Sequence, residues 1–182
     1  LIMILGDSKY LKESIEVWNW FLGSKMINSH NLINDGLNLQ TCAPGGTTFT
    51  YNQGVILGGL AELYQATKDK KYLESAYKIA DAATTSHDLN RDGILREPNE
   101  GDGCTGDGPS FKGIFVRNLG ELNKVSSAHS YHNYLEKNAN SCYDKNRNQN
   151  NEYGNHWAGP FKSSAGACQH GAVDLLTAAF KS

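Results

Sequence analysis

The sequence of 182 residues lacks a charge excess of either sign: 17 Lys and Arg stand against 19 Asp and Glu, for a formal net charge of −2 with His neutral. That balance excludes the basic footprint which a nucleic acid or an anionic membrane surface demands of its partner. It also lacks any apolar run of the ~18 residues that a membrane-spanning helix needs. The apolar start, Leu1 to Leu5, meets Gly6 and Asp7 at once. With no charged flank and no small-residue cleavage site it is no signal peptide, and it reads as the last turn of a helix whose beginning is missing. Glycosylation sequons are absent, which decides nothing about secretion. Nowhere does period-two alternation hold for five residues in β-branched company, so strands are minor at best and the fold class is all-α. Cysteine is scarce: Cys42, Cys104, Cys142 and Cys168. No two sit at metal-ligand spacing, and all fall in or beside Gly- and Asn-rich text. Two disulfides in an oxidising compartment are the expectation, with three connectivities open.

What is present centres on Thr47 to Thr67, TTFTYNQGVILGGLAELYQAT. Hydroxyls, an aromatic and two amides (Thr50, Tyr51, Asn52, Gln53) lead into a helix whose Val55, Ile56, Leu57, Leu60, Ala61, Leu63 and Tyr64 cover more than half a helical wheel. Such a helix is buried nearly all round. A polar mouth on a buried helix places a site at the end of a helical bundle.

Helical periodicity predicts five further helices: Ser8 to Leu22, Lys70 to Thr85, Ser110 to Asn123, Ser126 to Cys142 and Ser164 to Phe180. A repeat runs through them. Asp7-Ser8-Lys9-Tyr10-Leu11 recurs as Asp69-Lys70-Lys71-Tyr72-Leu73, with a weaker echo at Ser130-Tyr131-His132-Asn133-Tyr134-Leu135. The unit is a helical hairpin with long polar loops at one end and tight turns at the other. Stacked hairpins cover one another's apolar faces. The length fits one domain, 1–182, holding about three hairpins.

Three motifs in order carry a family likeness: Thr50-Tyr51-Asn52-Gln53-Gly54-Val55, then Phe111-Lys112-Gly113-Ile114-Phe115-Val116-Arg117, then Trp157-Ala158-Gly159-Pro160-Phe161 leading to Gln169. From about Gly6 to Phe180 the chain resembles glycoside hydrolase family 76, the α-1,6-mannanases and their fungal cell-wall relatives. The resemblance implies an (α/α)6 toroid, secreted or wall-associated, that cleaves α-1,6-linked mannan with retention of configuration. It also implies two adjacent aspartates at a helix start, one as nucleophile and one as acid/base. No Asp-Asp or Asp-Glu pair exists in this sequence. By the helical spacing of the family's hairpin the pair belongs upstream of Leu1, so the chain looks like the C-terminal half of the barrel. No catalytic residue is assigned within it.

The candidate sugar-contacting residues are Thr50, Tyr51, Asn52, Gln53, Phe111, Lys112, Trp157, Asp35 and Gln169. A primary amide donates and accepts as a pair of sugar hydroxyls requires, so Asn52 and Gln53 face sugar or else satisfy loop backbone at the helix start. Tyr51 and Trp157 stack on a pyranose or fill core. Lys112, beside Phe111 at a helix start, reads as a cleft residue. Arg117, in an apolar run, reads as half of an internal ion pair.

Metal ligation is not expected, and no cofactor. Asp88-Leu89-Asn90-Arg91-Asp92-Gly93 matches the first half of a calcium loop, but Asn99 stands where the closing Glu belongs, so the segment reads as an Asx-bonded turn. His129 and His132 are the only close histidine pair, with no third zinc ligand. The partner implied is a mannan-type polysaccharide or oligosaccharide. Three hairpins cannot close a ring, so self-association, or pairing with a missing N-terminal half, is expected. Two other readings differ in class. One is a non-catalytic carbohydrate-binding or inhibitory protein on the half-barrel. The other is a different toroid enzyme, a lyase or an epimerase, the latter lacking its paired inner-helix histidines.

Overall fold

The computed structural model describes residues 8–127 and 129–181. The apolar start with Gly6 and Asp7, Ala128 and Ser182 lie outside the described residues. Six helices dominate the described residues: α1 (Ser8–Gly23), α2 (Thr50–Thr67), α3 (Lys71–Thr85), α4 (Gly108–Val125), α5 (His132–Lys145) and α6 (Gly166–Lys181). Strands among the described residues are two antiparallel pairs of two residues each, β1 (Gly36–Leu37) with β2 (Pro44–Gly45) and β3 (Asn90–Arg91) with β4 (Ile94–Leu95).

The helices form two layers. The sequence-alternate helices α2, α4 and α6 pack side by side as one layer, with the most extensive contacts in the molecule. In the second layer α3 leans on α2 and α5 on α6, while α1 touches α2. This is the hairpin arrangement of an α/α toroid, incomplete as a ring. The first layer comes close through glycine. A Cβ on Gly54 would sit 2.5 Å from the Phe115 Cα, and one on Gly113 would sit 2.7 Å from the Gly171 Cα. The core fills the space between layers with Leu57, Leu60, Ile79, Phe115, Leu119 and Leu175, each 1 % exposed or less. Helix α2 is not buried all round as its apolar wheel predicts: Val55 is 55 % exposed, on a face no described neighbour covers.

The connections alternate as the repeat predicts. Residues 68–70 are a short turn and only six residues separate α4 from α5, whereas 24–49, 86–107 and 146–165 are long loops gathered where α2, α4 and α6 begin. Helix α5 starts at His132 and not at Ser126, because the Asn123 side chain accepts the Tyr131 N–H at 2.6 Å and Ser126 bonds to His129, closing a turn first. The outer loops repeat one device. Asn28 Oδ1 accepts the His30 and Leu32 N–H groups, and Asn148 Oδ1 accepts those of Asn150 and Glu152. Asn31 and Asn151 then take left-handed backbone at φ 58 and 61, which Asn tolerates better than most residues. The middle loop turns instead through Asp92 and Gly93, also at positive φ. There Asn90 points inward, donating to the Ala83 and Ser86 carbonyls and accepting from the Tyr134 hydroxyl, so the calcium-like text is a hairpin turn.

One disulfide joins Cys104 to Cys168, tying the middle loop to the start of α6. The expectation of two is corrected: Cys42 is an exposed free thiol and Cys142 a buried one. Burial pushes the Cys142 thiol up to about 11.

Candidate functional site

Each inner helix carries a polar residue in its first turns that latches a loop. Gln53 on α2 accepts the Ile33 N–H at 2.8 Å and donates to the Ile33 carbonyl at 3.0 Å and the Phe49 carbonyl at 2.9 Å. Gln169 on α6 accepts the Tyr153 N–H at 3.1 Å. Lys112 on α4 takes the same role with charge: its ammonium meets the Glu100 carboxylate, donates to the Asn155 carbonyl at 2.5 Å and lies 4.9 Å from the Trp157 ring centre. Gln53 and Lys112 are fully buried, and Trp157 is 2 % exposed. These three candidates therefore hold the loops from beneath and do not present themselves to a sugar. Backbone of a long loop left unpaired inside the protein is costly, and these side chains satisfy it.

Thr50 is buried too, for another reason. No side chain from α2 or Phe49 caps the helix, and Glu97 does so from the middle loop, accepting the Thr50 N–H at 3.1 Å and the Thr50 hydroxyl. Burial dominates the Glu97 carboxyl and pushes it up to about 7, although the Thr50 hydrogen bonds and Lys112 pull the other way.

Above these latches lies a cleft of about 280 Å³ between the starts of α2 and α4. Phe49 and Phe111 together line it, as do Glu97, Glu100, Asn155 and the glycines 101 and 103 of the middle loop. The Tyr51 ring lies 4.4 Å from Phe111, and Phe49 meets Phe111 edge-on at 5.5 Å. Beside Tyr51, the exposed Asp35 carboxylate accepts from the Tyr51 hydroxyl at 2.7 Å and from Asn52 Nδ2 at 3.0 Å. The Asn52 hydrogen bond first, and Tyr51 second, hold Asp35 below the usual carboxylate range and keep it ionised. Tyr51 is pushed up by the same bond. Of the sequence-derived candidates, Phe111 lines the cleft, and Tyr51, Asn52 and Asp35 form one cluster beside it. Gln169 belongs to the loop-three latch.

The sequence reading missed Glu97, Glu100, Asp102, Asn155 and His156. Glu100 bonds Lys112 and, at 3.0 Å, His156 Nδ1, whose Nε2 meets Asp102 at 2.9 Å. The available signal was the acidic, glycine-flanked run Glu97 to Asp102, which contributes carboxylates facing a cleft. Arg117 pairs with Asp174 at 3.2 Å, but half-exposed rather than internal. The histidines of the close pair diverge: His129 meets Asp81 at 2.8 Å and His132 lies 4.0 Å from Glu136.

Several proteins of similar sequence and shape are mannan-acting enzymes by name. Mannan endo-1,6-alpha-mannosidase DFG5 of Saccharomyces cerevisiae is 33% identical over 122 residues, covering 63% of this chain and 26% of that protein. Mannan endo-1,6-alpha-mannosidase DCW1 of Candida albicans is 27% identical over 122 residues, again 63% of this chain and 27% of that protein. Among solved structures, the α-1,6-mannanase GH76A of Salegentibacter sp. HEL1_6 superposes with a TM-score of 0.84 at 25% identity, over 98% of this chain and 54% of that one. That structure is an inactive variant, with two adjacent aspartates changed to asparagine, in complex with α-1,6-mannotriose. The chain therefore spans about a quarter of the curated relatives and about half of the solved mannanase. The model of glycosyl hydrolase family 76 matches residues 1–179, and the chain belongs to that family.

Proposed function

We propose that this chain forms one flank of the substrate cleft of a retaining, endo-acting glycosidase of α-1,6-mannan or a related cell-wall glycan. The observation that carries the reading is the cleft at the first turns of α2 and α4, lined by Phe49 and Phe111, in a fold shared with a mannanase that holds α-1,6-mannotriose. An aromatic lining presents a flat apolar face to the C–H side of a pyranose, and carboxylates and amides in the same cleft accept from the hydroxyls. Tyr51, Asn52, Asp35 and Phe111 are the sugar-contacting residues.

Cleavage needs a nucleophile and an acid/base flanking the sugar bond. With no adjacent acidic pair among its 182 residues, this chain supplies binding groups, and the aspartate pair belongs to a segment upstream. The same absence favours one second reading, a carbohydrate-binding protein without turnover. Incubation with α-1,6-mannan, with reducing ends and bound oligosaccharide both measured, separates the two. Binding with release of mannose oligomers supports the enzyme, binding alone supports the second reading, and neither overturns both.

The place of action in this proposal is outside the cell or in the wall, which the Cys104–Cys168 disulfide supports. No helix of the described residues is long and apolar enough to cross a membrane. The chain pairs with a second copy, or with a segment completing the ring, through the edges where Val17, Trp20 and Phe180 stand exposed.

A further inference from the structure

The cleft rim is held by a histidine between two carboxylates. His156 Nδ1 lies 3.0 Å from Glu100 Oε2, and Nε2 lies 2.9 Å from Asp102 Oδ1. A neutral imidazole has one N–H and one lone pair, so it can donate to one of these carboxylates only, and turns its lone pair on the other. Both contacts are hydrogen bonds only in the imidazolium.

The segment so gripped is short. Glu100 and Asp102 alternate with Gly101 and Gly103, and a Cβ built on Gly101 would meet nothing within 4 Å. Lys112 and the Glu97 carbonyl (3.3 Å from the Glu100 N–H) hold its Glu100 end, and beyond it the Asn155 Nδ2 bond to the Gly101 carbonyl at 2.9 Å and the Ser163 hydroxyl bond to the Asp102 carbonyl at 2.9 Å hold the backbone. The disulfide at Cys104 ends the segment on one side and the Glu97 cap on the other. Gly101, Gly103 and Glu100 also line the cleft. Whatever fixes Glu100 to Gly103 therefore fixes one side of the cleft.

We propose that His156 is a positioning residue whose doubly protonated ring clasps the Glu100–Gly103 rim against the Asn155–Trp157 segment, so that the cleft closes on oligosaccharide while the ring holds both protons and slackens when it loses one. This rests on the carbohydrate reading of the cleft. The charges bear it out. Imidazolium and the Lys112 ammonium balance the Glu100 and Asp102 carboxylates; loss of one proton leaves a net negative cluster on a part-buried rim. Glu97, which interacts with Lys112 and Glu100, adds a further negative charge beside the cluster as it ionises. Release is confined to the rim, because Lys112 keeps Glu100 from below.

The test combines ring and amide measurements on the chain of 182 residues. Nitrogen-15 spectra of His156 follow its ring across pH in the wild type and in Asp102→Asn, while amide hydrogen exchange reports Gly101 and Gly103. α-1,6-Mannotriose affinity is measured over the same range in the wild type and in His156→Gln. The clasp predicts that Asp102→Asn moves the ring's titration to lower pH and that exchange at Gly101 and Gly103 quickens as the wild-type ring loses its proton. It also predicts that affinity falls at least about tenfold more across that step in the wild type than in His156→Gln, the size of one charge-assisted hydrogen bond. Glu97 titrates in both proteins and cancels in that difference. Identical ring titration in Asp102→Asn, or glycine exchange indifferent to the ring's proton, overturns the clasp. A wild type that binds no mannotriose at any pH overturns the carbohydrate reading instead, and the ring and exchange measurements still decide the clasp.

Discussion

The carboxylate of Glu97 caps a helix it does not belong to, accepting the Thr50 N–H at 3.1 Å across 47 residues of sequence. It thereby locks the middle loop to the start of α2 and joins two parts of the cleft lining.

That cap gives stability a pH dependence. Burial raises the Glu97 carboxyl from 4.5 to about 7, so the folded state holds this proton where the unfolded chain has lost it. A raised group contributes in full below its unfolded value, and the contribution is lost as pH climbs through the folded one. Unfolding free energy from urea titrations is expected to fall by roughly 2–3 kcal/mol between pH 4.5 and pH 7 on this account. Glu97→Gln, which keeps a neutral acceptor for Thr50, should flatten that slope. An unchanged slope in the variant contradicts the assignment.

Lys112 tests the buried latch. Removing one member of a buried ion pair leaves its partner's charge uncompensated, at a cost of about 3–5 kcal/mol. Lys112→Met should lose that much stability, and Lys112→Met with Glu100→Gln should recover part of it. A surface-like loss under ~1 kcal/mol would show that the ammonium is hydrated rather than buried.

The close approach of α4 to α6 sets a third expectation. A methyl group on Gly113 would lie 2.7 Å from the Gly171 Cα, backbone that cannot swing aside. Gly113→Ala should cost about 1–3 kcal/mol through helix separation, despite the helix propensity that Ala adds. Thermal melts of Gly113→Ala beside Gly59→Ala, where nothing lies within 4 Å, make the comparison internal. Gly59→Ala should hold or gain stability.

The thiols give a fourth. Iodoacetamide under native conditions should alkylate Cys42 alone, and Cys142 only after unfolding, because one is exposed and the other buried with its thiol pushed up to about 11. Reduction of Cys104–Cys168, which spans 64 residues, should cost about 2–4 kcal/mol. Mass spectra with native modification at both free cysteines would contradict the burial.

Much of the fold is legible in the residues themselves. Within α2 Leu57, Leu60, Ala61 and Leu63 recur at helical spacing because the helix buries a face, and the text shared by Asp7–Leu11 and Asp69–Leu73 marks the start of a helix. The site is less legible, because the same residue types serve two ends at the same place. Gln53 and Asn52 are neighbours in a first turn, yet a helix turns them some 100° apart. One meets the Ile33 backbone and the other Asp35. Lys112 next to Phe111 divides in the same way. Glu97 and Glu100 fall near the closing position of a calcium-like loop, and their roles depend on Thr50 and Lys112, which local spacing does not bring together. Pairing of Cys104 with Cys168 depends likewise on the loop folding back to α6.

The central claim is that the starts of α2 and α4 with their loops form a saccharide cleft, and amide chemical shifts during titration with α-1,6-mannotriose test it most directly. The account predicts saturable shifts at Phe49, Asn52, Gly101, Gly103 and Phe111, none in the turn at residues 68–70, and at least about a thirtyfold loss of affinity in Phe111→Ala, a truncation of about 2 kcal/mol or more in contact energy. Saturable shifts at the tight-turn end, or no response at any concentration of the trisaccharide, would contradict it.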